Sequence, residues 1–173
     1  GRFIVIACIC ILVGMVVDVV SGRYSATYQF ERGEKVNISG ITYRYNSVGA
    51  SVCALENGEL ATTVTIPETI RVGRKEYQVT VIEGAFKDCT SLENISLPDG
   101  LTTIGDYAFT GCTSLESINL PDGLTTIGYA AFYECTSLKS ITLPDSVATI
   151  GSGAFAHCTS LEGISLPDGV TVI

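Results

Sequence analysis

The sequence predicts a repeat solenoid, a β-rich right-handed coil of short strands and helical turns preceded by a small β cap. Three observations carry this expectation. Phe86, Phe109, Phe132 and Phe155 recur every 23 residues, and Cys89, Cys112, Cys135 and Cys158 keep the same interval. Pro98, Pro121, Pro144 and Pro167 form a third such column, and residues 97–105 and 120–128 both read LPDGLTTIG. A fixed period of this length marks supersecondary units that cannot bury their apolar faces alone and share a core when stacked. Charge changes where the repeat begins. Residues 1–80 carry eight basic and seven acidic residues, whereas residues 81–173 carry Lys87 and Lys139 against eleven acids.

The elements follow in chain order. Residues 3–17 are apolar apart from Gly14, behind Arg2, and Asp18 interrupts the run before Val19 and Val20. A basic start, a short apolar stretch and small residues after it fit a signal peptide over residues 1–21, with Ser21 or Gly22 at the cut. A retained N-terminal anchor fits as well, although the run is short for a span of about 20 residues. Val5-Ile6-Ala7-Cys8 has the form of a lipoprotein box, but the apolar run continues past Cys8 where a lipoprotein turns polar. Residues 22–80 read as the β cap: Ile41-Thr42-Tyr43-Arg44-Tyr45 alternates like a strand, and Val64-Thr65-Ile66-Pro67 resembles the end of a repeat strand. A turn over residues 73–76 leads into a strand from Tyr77 to Val81.

Residues 81–173 hold four units and the start of a fifth, with further units or a cap expected beyond. In each unit, Leu115-x-x-Ile118-x-Leu120 and its equivalents read as a half-buried strand. Pro-Asp-Gly turns the chain, through the fixed φ of Pro, the Asp side chain and a positive φ at Gly. Leu-Thr-Thr-Ile forms a second strand, and Asp106-Tyr107-Ala108-Phe109-Thr110-Gly111-Cys112 a helical turn that inserts Phe109 into the core. The stretch from Ile104-Gly105 through Ala108-Phe109 and Cys112 to Ser114-Leu115 resembles the BspA-like leucine-rich repeat at every defining position. The resemblance covers residues 81–173. The Asn common to other leucine-rich repeats is replaced by Gly100, Gly123, Ser146 and Gly169, and Val81-Ile82-Glu83-Gly84 lacks the Ile-Gly start.

Composition narrows the function. A net charge of −8 gives no electrostatic footprint for nucleic acid. The cysteine column reads as buried free thiols, since parallel Cβ vectors in a stack are poorly placed for disulfides. The column Asp99, Asp122, Asp145 and Asp168 reads as turn residues rather than a cation ladder. His157 is the sole histidine, and its column (Asp88, Gly111, Glu134) reads as a surface position that accepts any residue. Cys53 is the only thiol of residues 23–80, so an enzyme is not expected, nor any cofactor, metal or catalytic residue. The strand positions Ser117, Asn119, Ser140 and Thr142 are candidate partner contacts, as are Tyr107, Tyr129 and Tyr133 in the turn segment. Export of the chain and a solenoid surface imply a secreted or cell-surface protein that binds protein, with membrane contact only through the N-terminal segment. The resemblance implies adhesion to extracellular-matrix or cell-surface proteins of a host or neighbouring cell. The alternative is a spacer array that displays another module.

Overall fold

The structure is a computed structural model that describes residues 33–47, 49–55 and 62–172. The apolar segment of residues 3–20 lies outside the described residues. Among those described, no helix is long and apolar enough to cross a membrane.

The chain enters as an antiparallel meander, β1 (Glu34–Ile38), β2 (Ile41–Tyr45) and β3 (Ala50–Leu55). Ser39 and Gly40 join β1 to β2 with φ of 52° and 81°, the paired positive values that let a two-residue hairpin turn follow strand twist. β4 (Thr63–Thr65) follows, then a hairpin of β5 (Thr69–Val72) and β6 (Lys75–Ile82). The turn expected over residues 73–76 is tighter than expected: Gly73, at φ 63°, supplies the left-handed residue, and strand pairing resumes at Lys75.

From β6 onward the pairing is parallel. β8 (Thr103–Ile104), β9 (Thr126–Ile127), β10 (Thr149–Ile150) and β11 (Thr171–Val172) stack on β6 in register, each Ile beneath its equivalent in the next coil. One sheet thus runs β1-β2-β3-β6-β8-β9-β10-β11 from meander to last coil. Threonine continues the ladder beside the strands, with Thr102 and Thr125 donating side-chain hydroxyls to the carbonyls of Thr80 and Thr102 at 3.1 Å. The Leu-x-x-Ile-x-Leu segments pair less. β7 (Asn94–Ser96) lies parallel to β4, with Val64 opposite Ile95, and Ser117 bridges to Ser140. β4 therefore occupies the place of a preceding repeat strand, the role its sequence predicts.

The four Pro-headed turns close with amide-to-carbonyl bonds from Leu101, Leu124, Val147 and Val170 to Pro98, Pro121, Pro144 and Pro167, at 3.0–3.4 Å. The expected positive φ at the third turn residue holds for Gly169 but not for Gly100 or Gly123. The turn works with ordinary backbone, which is why Ser146 fits the same column.

The expected helical turns form no helix among the described residues. Alternate amides around each Phe point in two directions. Ala108, Thr110 and Cys112 bond back within the coil to Gly105, Tyr107 and Phe109. Tyr107, Phe109 and Gly111 bond instead to Tyr129, Ala131 and Tyr133 of the next coil, at 2.7–2.9 Å. This alternation draws left-handed backbone at Tyr107 (φ 58°), Ala130 (48°), Asp88 (60°), Glu134 (58°) and His157 (61°). The column of His157 is thus not indifferent to residue type. It requires a positive φ, which costs most non-glycine residues about 1 kcal/mol or more.

The core is a set of ladders. Phe86, Phe109 and Phe132 are fully buried, and with the half-buried Phe155 their rings stack at 5.2, 5.2 and 5.4 Å, within 9° of parallel. Offset stacking of this kind adds about 0.5–1.5 kcal/mol per pair beyond area burial. Leu92, Leu115 and Leu138 form a parallel buried ladder, as do Ile104, Ile127 and Ile150.

Candidate binding surface

The solenoid presents two long faces with different chemistry. On the first, the Leu-x-x-Ile-x-Leu segments turn Ile95, Ile118 and Ile141 inward and leave Ser117, Asn119, Ser140 and Thr142 exposed. The structure brings all four candidates together in one shallow groove of about 180 Å³, floored by Ile118 and Ile141 and edged by Asp122 and Pro144. Beside it, the Lys139 ammonium pairs with the Glu116 carboxylate at 2.7 Å. Both side chains are well exposed, so this pair contributes little to stability. The groove is therefore small and polar, with Asp122 its one charged lining residue and short side chains that leave the backbone approachable.

The second face carries the turns. Tyr107 and Tyr129 are 42% and 48% exposed and meet edge to face with centroids 5.3 Å apart. Tyr133 is half-buried and packs its edge against the His157 imidazole at 5.0 Å. The candidate tyrosines and the candidate groove thus lie on different segments of each coil. Tyr129 stands with Tyr107 and Tyr133 in the turn segment, although its column holds Asp106 and Ser152 in the neighbouring units.

The four column cysteines are free, and three of their thiols have a partner one coil back. Cys112, Cys135 and Cys158 donate to the carbonyls of Phe86, Phe109 and Phe132 at 3.1, 3.2 and 3.0 Å. Burial pushes the Cys89 thiol up to about 11 and the Cys112 thiol up to about 12. His157 and Cys158 diverge, the ring toward Tyr133 and the sulfur toward Phe132, so no thiol–imidazole pair forms. Among the described residues, no group of His, Cys, Asp or Glu is arranged to hold a metal ion. Cys53 lies in β3, and its side chain is outside the described residues.

One buried charge pair went unread in the sequence. Strand register places Glu83 where Gly105 stands in the next coil, because Ile82 pairs with Ile104. A Cβ at Gly128 would meet the backbone of Gly105 and Asp106 at 2.5–2.6 Å, so interior coils admit only glycine there. Glu83 has the cap behind it instead of another coil. Its carboxylate accepts from Ser51 Oγ at 2.6 Å and from Arg44 at 3.1 Å, with both charged side chains largely buried. Glu68 makes a second link, accepting from the amides of Asp99 and Gly100 in the first coil's turn.

Parallel coils with a repeating Leu-x-x-Ile-x-Leu face and a Phe–Cys turn define a leucine-rich-repeat solenoid. The BspA type leucine rich repeat region matches residues 79–173 in six copies, and the chain belongs to that family. A leucine-rich repeat protein from Bacteroides ovatus is 33% identical, with a TM-score of 0.57 over 78% of this chain and 42% of its own. Another from Bacteroides capillosus is 29% identical, with a TM-score of 0.68 over 75% of this chain and 96% of its own. A leucine rich cell surface protein from Faecalibacterium prausnitzii is 25% identical, with a TM-score of 0.62 over 80% of this chain and 44% of its own. The chain thus spans less than half of the B. ovatus and F. prausnitzii proteins. No curated protein matches it.

Proposed function

We propose that this chain is a secreted or cell-surface leucine-rich-repeat protein, without enzymatic activity, that binds other proteins and serves in adhesion to host or neighbouring cells. The observation that carries the reading is the groove: Ser117, Asn119, Ser140 and Thr142, from successive coils, converge on one exposed face. A stack of such coils offers many weak, equivalent contacts, so avidity grows with the number of coils engaged. The surface location of the F. prausnitzii relative supports the same setting. The N-terminal apolar segment supplies the export signal or anchor.

The test has two parts. Protease shaving of intact producing cells releases peptides from residues 81–173 if the array is displayed outside, and only lysis releases them if it is internal. Binding of the whole chain to immobilised collagen, fibronectin and laminin, and to whole cells, then falls with Ser140→Lys, which fills the groove without touching the core. Unchanged binding by that variant assigns adhesion elsewhere on the molecule.

A second reading, a spacer that displays another module, is favoured by the identity of LPDGLTTIG in two successive units. A tuned recognition face diverges between coils. Absence of any binding by the displayed array, with loss of reach on removal of coils, supports it.

A further inference from the structure

The turn-bearing face holds a continuous ridge that the groove does not use. Lys87 lies over the Tyr107 ring at 5.6 Å from the centroid, and Tyr107 meets Tyr129 at 5.3 Å. Tyr129 and Tyr133 stand four residues apart on the same turn, and Tyr133 meets His157 at 5.0 Å. The ridge touches four successive coils, and Tyr107 and Tyr129 are the large aromatic side chains exposed on the described surface.

Carboxylates flank the rings. Asp106 accepts the Tyr129 amide at 2.8 Å, and Glu134 interacts with the Tyr133 phenol. Asp88 lies against Gly111 on the same run of turns. Against these, residues 81–173 hold no arginine and two lysines, Lys87 over the ridge and Lys139 paired with Glu116 beside the groove. An aromatic face attracts a cation through its ring quadrupole, and adjacent carboxylates add attraction without requiring burial. Lys87 over Tyr107 is that interaction made within the chain.

We infer that the ridge of Tyr107, Tyr129 and Tyr133 is a docking surface for an extended, arginine- or lysine-bearing segment of a partner protein, its cations seated over the rings and against Asp106 and Glu134. The inference deepens the protein-binding reading and rests on it, but uses a face distinct from the groove.

The test titrates the whole chain with a peptide of alternating glycine and arginine, read by intrinsic tyrosine fluorescence and by calorimetry. A glycine–glutamate peptide and a neutral oligosaccharide serve as comparisons. Tyr107→Leu combined with Tyr129→Leu keeps apolar bulk but removes the rings, and its affinity for the arginine peptide falls about ten-fold. Tyr107→Phe with Tyr129→Phe keeps the rings and binds as the parent does. The leucine variant's melting curve shows that it is folded. Equal binding by the leucine variant, or no binding of the arginine peptide, overturns the inference, and ring-dependent binding of the oligosaccharide alone reassigns the ridge to glycans. Loss of cell binding with Ser140→Lys but not with the leucine variant also overturns it, and leaves the protein-binding reading standing.

Discussion

At the residue scale, the closest tolerances belong to the glycine column. Gly128→Ala places a Cβ against backbone atoms of the preceding coil, which cannot rotate away. We expect it to lower the unfolding free energy by about 2 kcal/mol. Gly163→Ala, where nothing lies within 4 Å, should leave it unchanged or slightly raised. Paired urea denaturation curves decide between close packing and a general dislike of alanine. The thiols make a second prediction. Cys89 and Cys112, normally near 9.0, titrate at about 11 and about 12 when folded. A thiol whose folded pKa is raised stabilises fully below the unfolded value, and that contribution fades as pH climbs through the folded one. Stability should therefore fall between about pH 9 and pH 12, and Cys112→Ala should flatten that fall. The left-handed residues were not legible in the sequence. Asp88, Gly111, Glu134 and His157 share no side-chain chemistry, and only the backbone direction unites them.

At the element scale, the Phe ladder and the cap junction hold the array. Phe132→Asp places an unpaired charge between the rings of Phe109 and Phe155 and should cost several kcal/mol, removing the cooperative melt. A retained wild-type transition would show that the ladder does not carry the fold. At the junction, Arg44→Leu leaves the Glu83 carboxylate buried with Ser51 alone, a loss of about 3 kcal/mol. Adding Glu83→Leu should return part of it, so the double-mutant cycle yields a coupling energy of about 1 kcal/mol or more. Period and residue type predicted the buried columns and the Thr-Ile strands, because Leu, Ile and Phe columns report burial directly, but of the expected Leu-x-x-Ile-x-Leu strands only β7 forms. The helical turns stay single hydrogen-bonded turns rather than helix for a physical reason. A compact Tyr-Ala-Phe segment suits a helix locally, but stacking demands that alternate amides reach the next coil. The groove was legible, since alternation in Ser117-Ile118-Asn119 already separates inward from outward residues. The tyrosine ridge was half legible: its contacts run diagonally between columns, which a column-by-column reading does not join.

Across the whole molecule, contacts are local to neighbouring coils, so stability adds coil by coil. Removing residues 151–173 should lower the denaturant slope and midpoint together. Amide protection in β6 and β8 should persist, as their partners lie on the cap side. A uniform collapse of protection in hydrogen-exchange mass spectrometry would indicate one cooperative unit instead. Added coils lengthen the groove face, whose small polar columns recur, but not the ridge, because Ala130 and Gly153 follow Tyr107 in its column and Ser152 follows Tyr129, so the two modes of contact scale differently.

Glu83 also has a bearing on how such an array changes over generations. Every interior coil presents glycine to the coil before it, so interior coils are interchangeable, and exchange between the identical stretches at residues 97–105 and 120–128 inserts or deletes one whole coil in frame. The first coil is excluded from this traffic, because its carboxylate is committed to Arg44 and Ser51. Copied into the interior, Glu83 would meet backbone where its partners should be. The lineage is thus free to vary the length of the molecule while its starting point stays fixed.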